Sequence, residues 1–565
     1  MSELPDSLSE RIRHAQSVDG VSPAEPMVPY PNIGDLLIQQ VDRNEQKPFL
    51  IFYDDGGGRK EYSYREFFEE VTRTANYLSS AGIRLGDRIA TVSFNHTDVV
   101  IQYYAAFLLG AVVVPINVGE DDRRITYVLQ NSGAKLAFVR DIYMDRICEI
   151  AAQVPTLKTL VQTGKVVKPG MPHFRTELTK QPTVFQPHEQ PRLDHEALIV
   201  YTSGTTGHPK GVVLLQYNLL VDAMAIGEWH RISGDQRMMC VLPIHHVNGL
   251  VVTLMTPLYV GGSVVLNQKF SSERFFERIS IEKVTVVSVV PTLLQFLLHT
   301  KLSMDAYKLM NFRHIICGAG PLTVELAAKF EHEFKIPIMH GYGLSETTCY
   351  SCFLPIDLSV HEHKTWLLEH GFPSIGVPLP VNEMEIHDGN GNALGEGERG
   401  EIVIRGHNVM KCYFQNEEAN TTTFAHGWFR SGDEGFFRYD DQARKFFFIT
   451  GRIKELIIRG GVNISPFEID EVLMNMPGVH AGIAVGFEND WYGEEVGAYV
   501  RLKEGAEIGE REVLAYCRKH LPFGKSPKVV VFGKDVPVTS TGKYQRNRCK
   551  ELFARWKTVQ FGEKE

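Results

Sequence analysis

Little in this sequence belongs to an exported, membrane-spanning or nucleic-acid-binding protein. Positive charge is in deficit: 59 lysines and arginines stand against 68 aspartates and glutamates, a formal net charge of −9. That removes the broad cationic surface on which phosphate-backbone binding depends, so nucleic acid is not an expected partner. Cysteine is sparse, eight in 565 residues, and scattered, unlike the dense disulfide framework of a small secreted domain. A reducing cytoplasm is the expected setting. The opening "MSELPDSLSERIRHAQSVDG" has charges and prolines where an export signal needs an apolar centre. Long hydrophobic runs are nearly missing too. The most apolar, "VVIQYYAAFLLGAVVVPINV" from Val99, contains Gln102, Gly110, Pro115 and Asn117 and reads as a buried helix followed by a buried strand, not a membrane span. Peripheral contact with a bilayer remains compatible with it. No lipase-type G-x-S-x-G occurs. The C-x-x-C of Cys349 and Cys352 has no second cysteine pair to complete a zinc site and reads as pocket wall.

What is present is the balance of a globular protein, 43% hydrophobic and 22% charged, in a chain too long for one core; at least two domains are expected. "SYREFFEEV" opens on a capping box, Ser63 with Glu66, and puts Phe67, Val71, Ala75 and Leu78 at helical spacing until Gly82. A short buried strand, "RIATVSF", follows. The alternation recurs, with "KVTVVSVVP" and "FRHIICGAG" as apolar runs that stop at Pro291 and Gly320. Strands alternating with helices predict parallel sheets covered on both faces, with ligands at the carboxyl ends of the strands. From about residue 384 to 450 short strands and turns predict a β-rich subdomain. A small α+β unit follows, with a second capping box (Ser465, Glu468) around Pro466 and a further helix near Glu510 to His520.

One loop stands apart. "YTSGTTGHPKGVV" at Tyr201 has the glycines, hydroxyls and lysine of a phosphate-binding loop but not the G-x-x-x-x-G-K-[ST] spacing of a P-loop. Pro209 removes an amide donor just before Lys210. Its glycines let the backbone approach a ligand, and its hydroxyls and amides can bond phosphate oxygens.

Six further segments accompany it in order: "PIHHVNG" at 243, "GYGLSETT" at 341, "GEIVIRG" at 400, "GWFRSGDEG" at 427, "GRIKELIIRGGVNISPFEID" at 451 and "PVTSTGKYQR" at 537. With these seven segments the chain resembles, over nearly its whole length, the ANL adenylate-forming superfamily, and within it the acyl-CoA synthetases. The resemblance implies a large domain, residues 1–453, holding ATP and the acid, and a small mobile α+β domain, residues 454–565, hinged at Lys454. It implies ATP, Mg2+ and coenzyme A. A carboxylate attacks the α-phosphate to give acyl-AMP, and the CoA thiol then takes the acyl group. An adenylating enzyme serving a carrier-protein thiol, or a catalytically silent binding homologue, are the alternatives; monomer and homodimer are both compatible.

By the same resemblance, Thr202, Ser203, Gly204, Thr205, Thr206, Gly207 and Lys210 hold the triphosphate. Glu346 holds Mg2+ together with Thr202, and Thr347 and Gly343 flank it. Gly318, Ala319, Gly320 and Tyr342 enclose the adenine, Asp433 takes the ribose hydroxyls, and Arg452 reaches the nucleotide. Lys543 is the adenylation lysine and His246 the gate to the acyl pocket. Gly461 lines the pantetheine channel after the small domain swings; Lys525 and Arg459 are weaker candidates for CoA phosphates. The residues expected around the acid, His246, Asn248, Gly249, Cys317, Gly318, Ala319, Gly341, Leu344 and Cys349, are mostly small or apolar. That favours a small-molecule monocarboxylic acid with an apolar tail or ring.

Overall fold

The computed structural model describes residues 7–202, 208–300, 303–538 and 544–562, apart from the side chain of Asn463. The helix Tyr64–Ser80 starts on the expected box: the Ser63 N–H donates to Glu66 at 2.8 Å and the Glu66 N–H donates to the Ser63 hydroxyl at 3.2 Å. Phe67, Val71, Ala75 and Leu78 form its buried stripe. The apolar run from Val99 divides at Gly110, whose φ of 82° ends the helix Thr97–Leu109 and releases the chain into the buried strand Val112–Ile116.

Among the described residues the chain forms three sheets. The largest, of 13 strands, includes on one side six consecutive parallel strands, in the order Ile338–Tyr342, His314–Cys317, Val286–Val289, Arg237–Cys240, Ser263–Asn267 and Pro48–Tyr53. The β-rich stretch is present, but as antiparallel strands that continue this sheet through Cys352–Phe353 and Ser374–Pro378 to Lys445–Arg452 and Phe429–Tyr439. A seven-stranded sheet is parallel from Glu196–Thr202 to Thr159–Thr163 and ends in two antiparallel strands, Lys210–Leu215 and Cys412–Tyr413. The central strands are buried along their length, as a sheet covered on both faces demands.

The third sheet, five strands between Ile457 and Phe532, has its own core around Ile469, Leu473, Val496 and Val500. Its helices are Pro466–Met474 and Glu510–His520. The second capping box is not formed. Ser465 precedes the helix with Pro466 at its first turn, but its hydroxyl donates to the Thr450 carbonyl, and Glu468 is held by Lys525 at 2.6 Å. Tertiary partners outcompete the local pair. The hydroxyl of Ser465 thus fastens the small unit to the last strand of the large sheet. Within the small unit the buried Arg546 ties its parts together: it donates to Asp470 and to the Ala484 carbonyl and approaches Glu455 at 3.5 Å.

Candidate active site

Three parallel strands, Val286–Val289, His314–Cys317 and Ile338–Tyr342, end side by side, and a cavity of about 890 Å3 opens at their carboxyl ends. Its walls include Pro291, Ala319, Gly320, Tyr342 and Leu344 from these loops. Phe467, His480 and Tyr544 of the small unit face them. This is where an open parallel sheet collects a ligand. The turn after Cys317 needs its small residues: a Cβ on Gly318 would stand 2.5 Å from the Tyr350 hydroxyl, and Ala319 takes a φ of 61°. Gly343 is equally constrained, with the Cys349 carbonyl 2.0 Å from its absent Cβ.

Asp433 and Arg452 lie opposite each other in the ladder of two antiparallel strands, so sheet register brings them together. The Arg452 Nε is 3.0 Å from one carboxylate oxygen, and the Tyr342 hydroxyl donates to the other at 2.7 Å. Asp433 raises the affinity of the guanidinium for its proton, and burial, with Asp433 beside it, holds the Tyr342 phenol far above its ordinary range. The carboxylate is therefore fixed on two sides while lining the cavity, with lone pairs left for hydroxyl donors such as those of a ribose.

Ser203, Gly204, Thr205, Thr206 and Gly207 lie outside the described residues. The strands that bracket them are described: Thr202 pairs with Lys210 across the ladder, and its hydroxyl donates to the Lys210 carbonyl at 3.5 Å. The Lys210 ammonium lies 4.7 Å from the centre of the Tyr413 ring. Partial burial and the neighbouring Lys454 lower its proton affinity, against Glu346 and Glu418. Glu346, 9% exposed, accepts a hydrogen bond from the Tyr413 hydroxyl at 2.8 Å. Thr347 is buried with its hydroxyl turned to the backbone of Leu344.

Among the described residues no group of three or more His, Cys, Asp or Glu could hold a metal by itself. A single carboxylate beside a lysine suits a magnesium ion that takes most of its ligands from phosphate oxygens and water. Glu346 fits that part, since Tyr413 orients one of its oxygens and leaves the other free to coordinate.

His246 is half-buried at the start of the π-helical turn Asn248–Met255, its ring centre 4.3 Å from that of His245. The Nε2 of His245 is buried without a partner, and burial pushes its pKa down to about 4. Several residues expected to line the acid belong to the core instead. Asn248 donates to the Tyr350 hydroxyl at 3.1 Å and accepts from Ser288 at 2.7 Å. Cys317, Cys349 and Cys352 are buried, and burial raises all three thiols. Tyr350 drew no notice in the sequence because it lies between two cysteines; its ring, 2% exposed, is what backs Gly318. Tyr413 was missed as well, since no spacing rule connects it to a glutamate 67 positions earlier.

Lys454 is exposed in a turn directly after the strand Lys445–Arg452 and before the third sheet. Gly461 is exposed, with a φ of 83° and nothing within 4 Å of its missing Cβ. Lys525 and Arg459 are not free for a phosphate: Lys525 is bound to Glu468 and Arg459 to the fully buried Glu495 at 2.8 Å. Lys543 lies outside the described residues; the next residue, Tyr544, lines the cavity, as does Val538.

The family model for AMP-binding enzymes matches residues 37–414, and that for the C-terminal domain of AMP-binding enzymes matches residues 468–543. The chain is 30% identical to the sulfoacetate–CoA ligase of Cupriavidus necator, over 92% of this chain and 98% of that protein. It is 27% identical to a long-chain-fatty-acid–CoA ligase of Bacillus subtilis, over 94% and 96%. The ATP-bound structure of MatB from Rhodopseudomonas palustris superposes with a TM-score of 0.81 at 27% identity, covering 92% of this chain and 99% of that one. The chain thus belongs to the AMP-binding enzyme family, within the adenylate-forming ANL superfamily, and is an AMP-forming acid:CoA ligase.

Proposed function

We propose that this ligase activates a short carboxylic acid. The observation that carries the reading is Tyr350. Its buried ring stands directly behind Gly318, where the resemblance puts the acid, and its hydroxyl is tied to Asn248 and through it to Ser288. The ring closes the space directly behind Gly318, and that supports an acid on the order of two to four carbons long. It differs from the apolar-tailed or aryl monocarboxylic acid expected from the sequence, which counted Asn248 and Cys349 among the residues lining the acid.

In the proposed reaction Asp433, steadied by Arg452 and Tyr342, takes the ribose hydroxyls, and the Gly318–Gly320 turn encloses the base. Lys210 and the loop before it neutralise the triphosphate, and Glu346 supplies a carboxylate oxygen to Mg2+, which screens the phosphates when bound. An oxygen of the acid attacks the α-phosphorus and pyrophosphate leaves, with Lys543 stabilising the charge that accumulates between them. The thiol sulfur of CoA then attacks the acyl carbon, losing its proton, and AMP leaves. Residues 1–453 and 454–565 are the two bodies, turning about Lys454 so that Gly461 replaces Lys543 at the site. A cytoplasmic setting is supported by eight unpaired cysteines, and no helix among the described residues is long and apolar enough to cross a membrane.

The test is pyrophosphate release over a panel of acids, with and without CoA. Short acids should exceed octanoate, palmitate and cinnamate in kcat/KM by tenfold or more, a difference of about 1.4 kcal/mol. A preference for the long or aryl acids would overturn the reading. Turnover independent of CoA would favour a carrier-protein acceptor, and no release with any acid a silent homologue.

A further inference from the structure

Tyr413 meets both charged groups at the phosphate end of the site. Its hydroxyl donates to Glu346 Oε1 at 2.8 Å, and the Lys210 ammonium sits 4.7 Å from its ring centre. We propose that Tyr413 is the positioning residue that holds Glu346 and Lys210 apart and in register for the metal-bound triphosphate. The assignment rests on the proposed roles of those two residues.

The backbone is built to keep that ring still. Cys412 and Tyr413 pair with Val213 and Val212, in the strand that begins at Lys210, and the Phe414 N–H donates to the Gly211 carbonyl at 2.7 Å. On the other side the Met410 N–H donates to the Glu346 carbonyl at 2.7 Å. Asn420 then brackets Tyr413: its side-chain oxygen accepts the Tyr413 N–H at 2.7 Å, and its amide donates to the Tyr413 carbonyl at 3.0 Å. The same short segment is thus tied to the backbone of Glu346 and to the strand that begins at Lys210, and the Tyr413 side chain, 6% exposed, lies against both side chains.

The chemistry asks for such a spacer. A lysine and a glutamate in a partly buried site attract each other, and a direct ion pair would consume the cation needed by phosphate and the anion needed by the metal. Among the described residues neither Lys210 nor Glu346 forms a side-chain ion pair within 4.0 Å. A phenol gives each what it needs without neutralising it: the ring face attracts the ammonium, and the O–H occupies a single carboxylate oxygen. Phenylalanine could do the first and not the second.

Calorimetric titration of the full-length protein with ATP, with and without Mg2+, reads the assignment without reference to the acid. In Tyr413→Phe the affinity gained from Mg2+ should shrink about tenfold, the scale of a lost hydrogen bond to a charged group, while metal-free ATP binds as in the wild type. Tyr413→Leu should in addition bind metal-free ATP several-fold more weakly, because Lys210 loses its ring. Adding Tyr413→Phe to Glu346→Gln should cost nothing further in Mg2+-dependent affinity. An undiminished Mg2+ gain in Tyr413→Phe overturns the proposal, as does an equal loss with and without Mg2+, which a merely structural tyrosine would give. Should Tyr413→Leu fail to fold, the near-isosteric phenylalanine variant still decides the matter. A wild-type protein that binds no ATP would instead sink the nucleotide reading beneath it, whereas failure of the acid panel leaves this titration intact.

Discussion

Replacing Asp222 by asparagine should remove a loss of stability that grows as pH rises. Asp222 is fully buried in the helix Gln216–Trp229, behind the segment that carries Glu346. One of its oxygens accepts from Asn408 at 2.9 Å and the other from the Tyr350 N–H at 3.5 Å. These two neutral donors do not compensate for desolvation, and burial pushes the carboxyl up to about 8 from an ordinary 3.8. The folded protein therefore keeps a proton that the unfolded chain gives up near pH 4. For a carboxyl raised in this way the stabilising contribution is complete below pH 3.8 and is lost as pH rises through 8. The loss is about 1.4 kcal/mol per pH unit over that window and totals about 6 kcal/mol. Asparagine keeps the acceptor for Asn408 and has nothing to ionise. Denaturant unfolding followed by tryptophan fluorescence, from pH 5 to 9, should show the variant gaining on the wild type steadily up to pH 8 and then holding level. An offset that does not change with pH would refute the buried, protonated carboxyl.

Other expectations follow from the site. Asp433→Asn leaves Arg452 facing no anion, and kcat/KM for ATP should fall by about ten- to a hundredfold with KM for the acid unmoved; a change confined to the acid would place Asp433 elsewhere. Lys543→Ala should slow pyrophosphate release about a hundredfold or more yet spare thioester formation from supplied acyl-AMP, and equal loss in both halves would contradict the swinging small domain. Gly461→Trp should do the reverse. A Cβ at this position meets nothing within 4 Å and the backbone carries the strain of a φ of 83°, so adenylation should stay within a few-fold while transfer to CoA fails. Tyr350→Ala should open the core side of Gly318 and shift preference toward acids of roughly six to eight carbons; unchanged selectivity across the panel would mean that the ring does not bound the acid.

Local sequence determined much of this protein, and for identifiable reasons. Ser63 and Glu66 lie three residues apart and need no distant partner to begin a helix, and Gly110 is suited by its own backbone to separate a buried helix from a buried strand. The glycines of 318, 341 and 343 and the ordered motifs told of a nucleotide site at strand ends, because backbone approach depends on what a residue lacks. The same logic failed at Ser465 and Glu468, where a capping pair sufficient in isolation met stronger partners in Thr450 and Lys525. Tertiary structure alone decided which side chains stand behind those motifs. Tyr350 looked like a spacer between two cysteines until the sheet turned its ring against Gly318. Asp433 found Arg452 through strand register, and Tyr413 reached Glu346 only because the edge strand of the seven-stranded sheet packs against the turn that follows Ile338–Tyr342 of the large one. Periodicity and turn chemistry are written along the chain within a few residues. Contacts between positions tens or hundreds of residues apart arise when sheets pack, and those contacts place Tyr350 behind Gly318 and Tyr413 against Glu346.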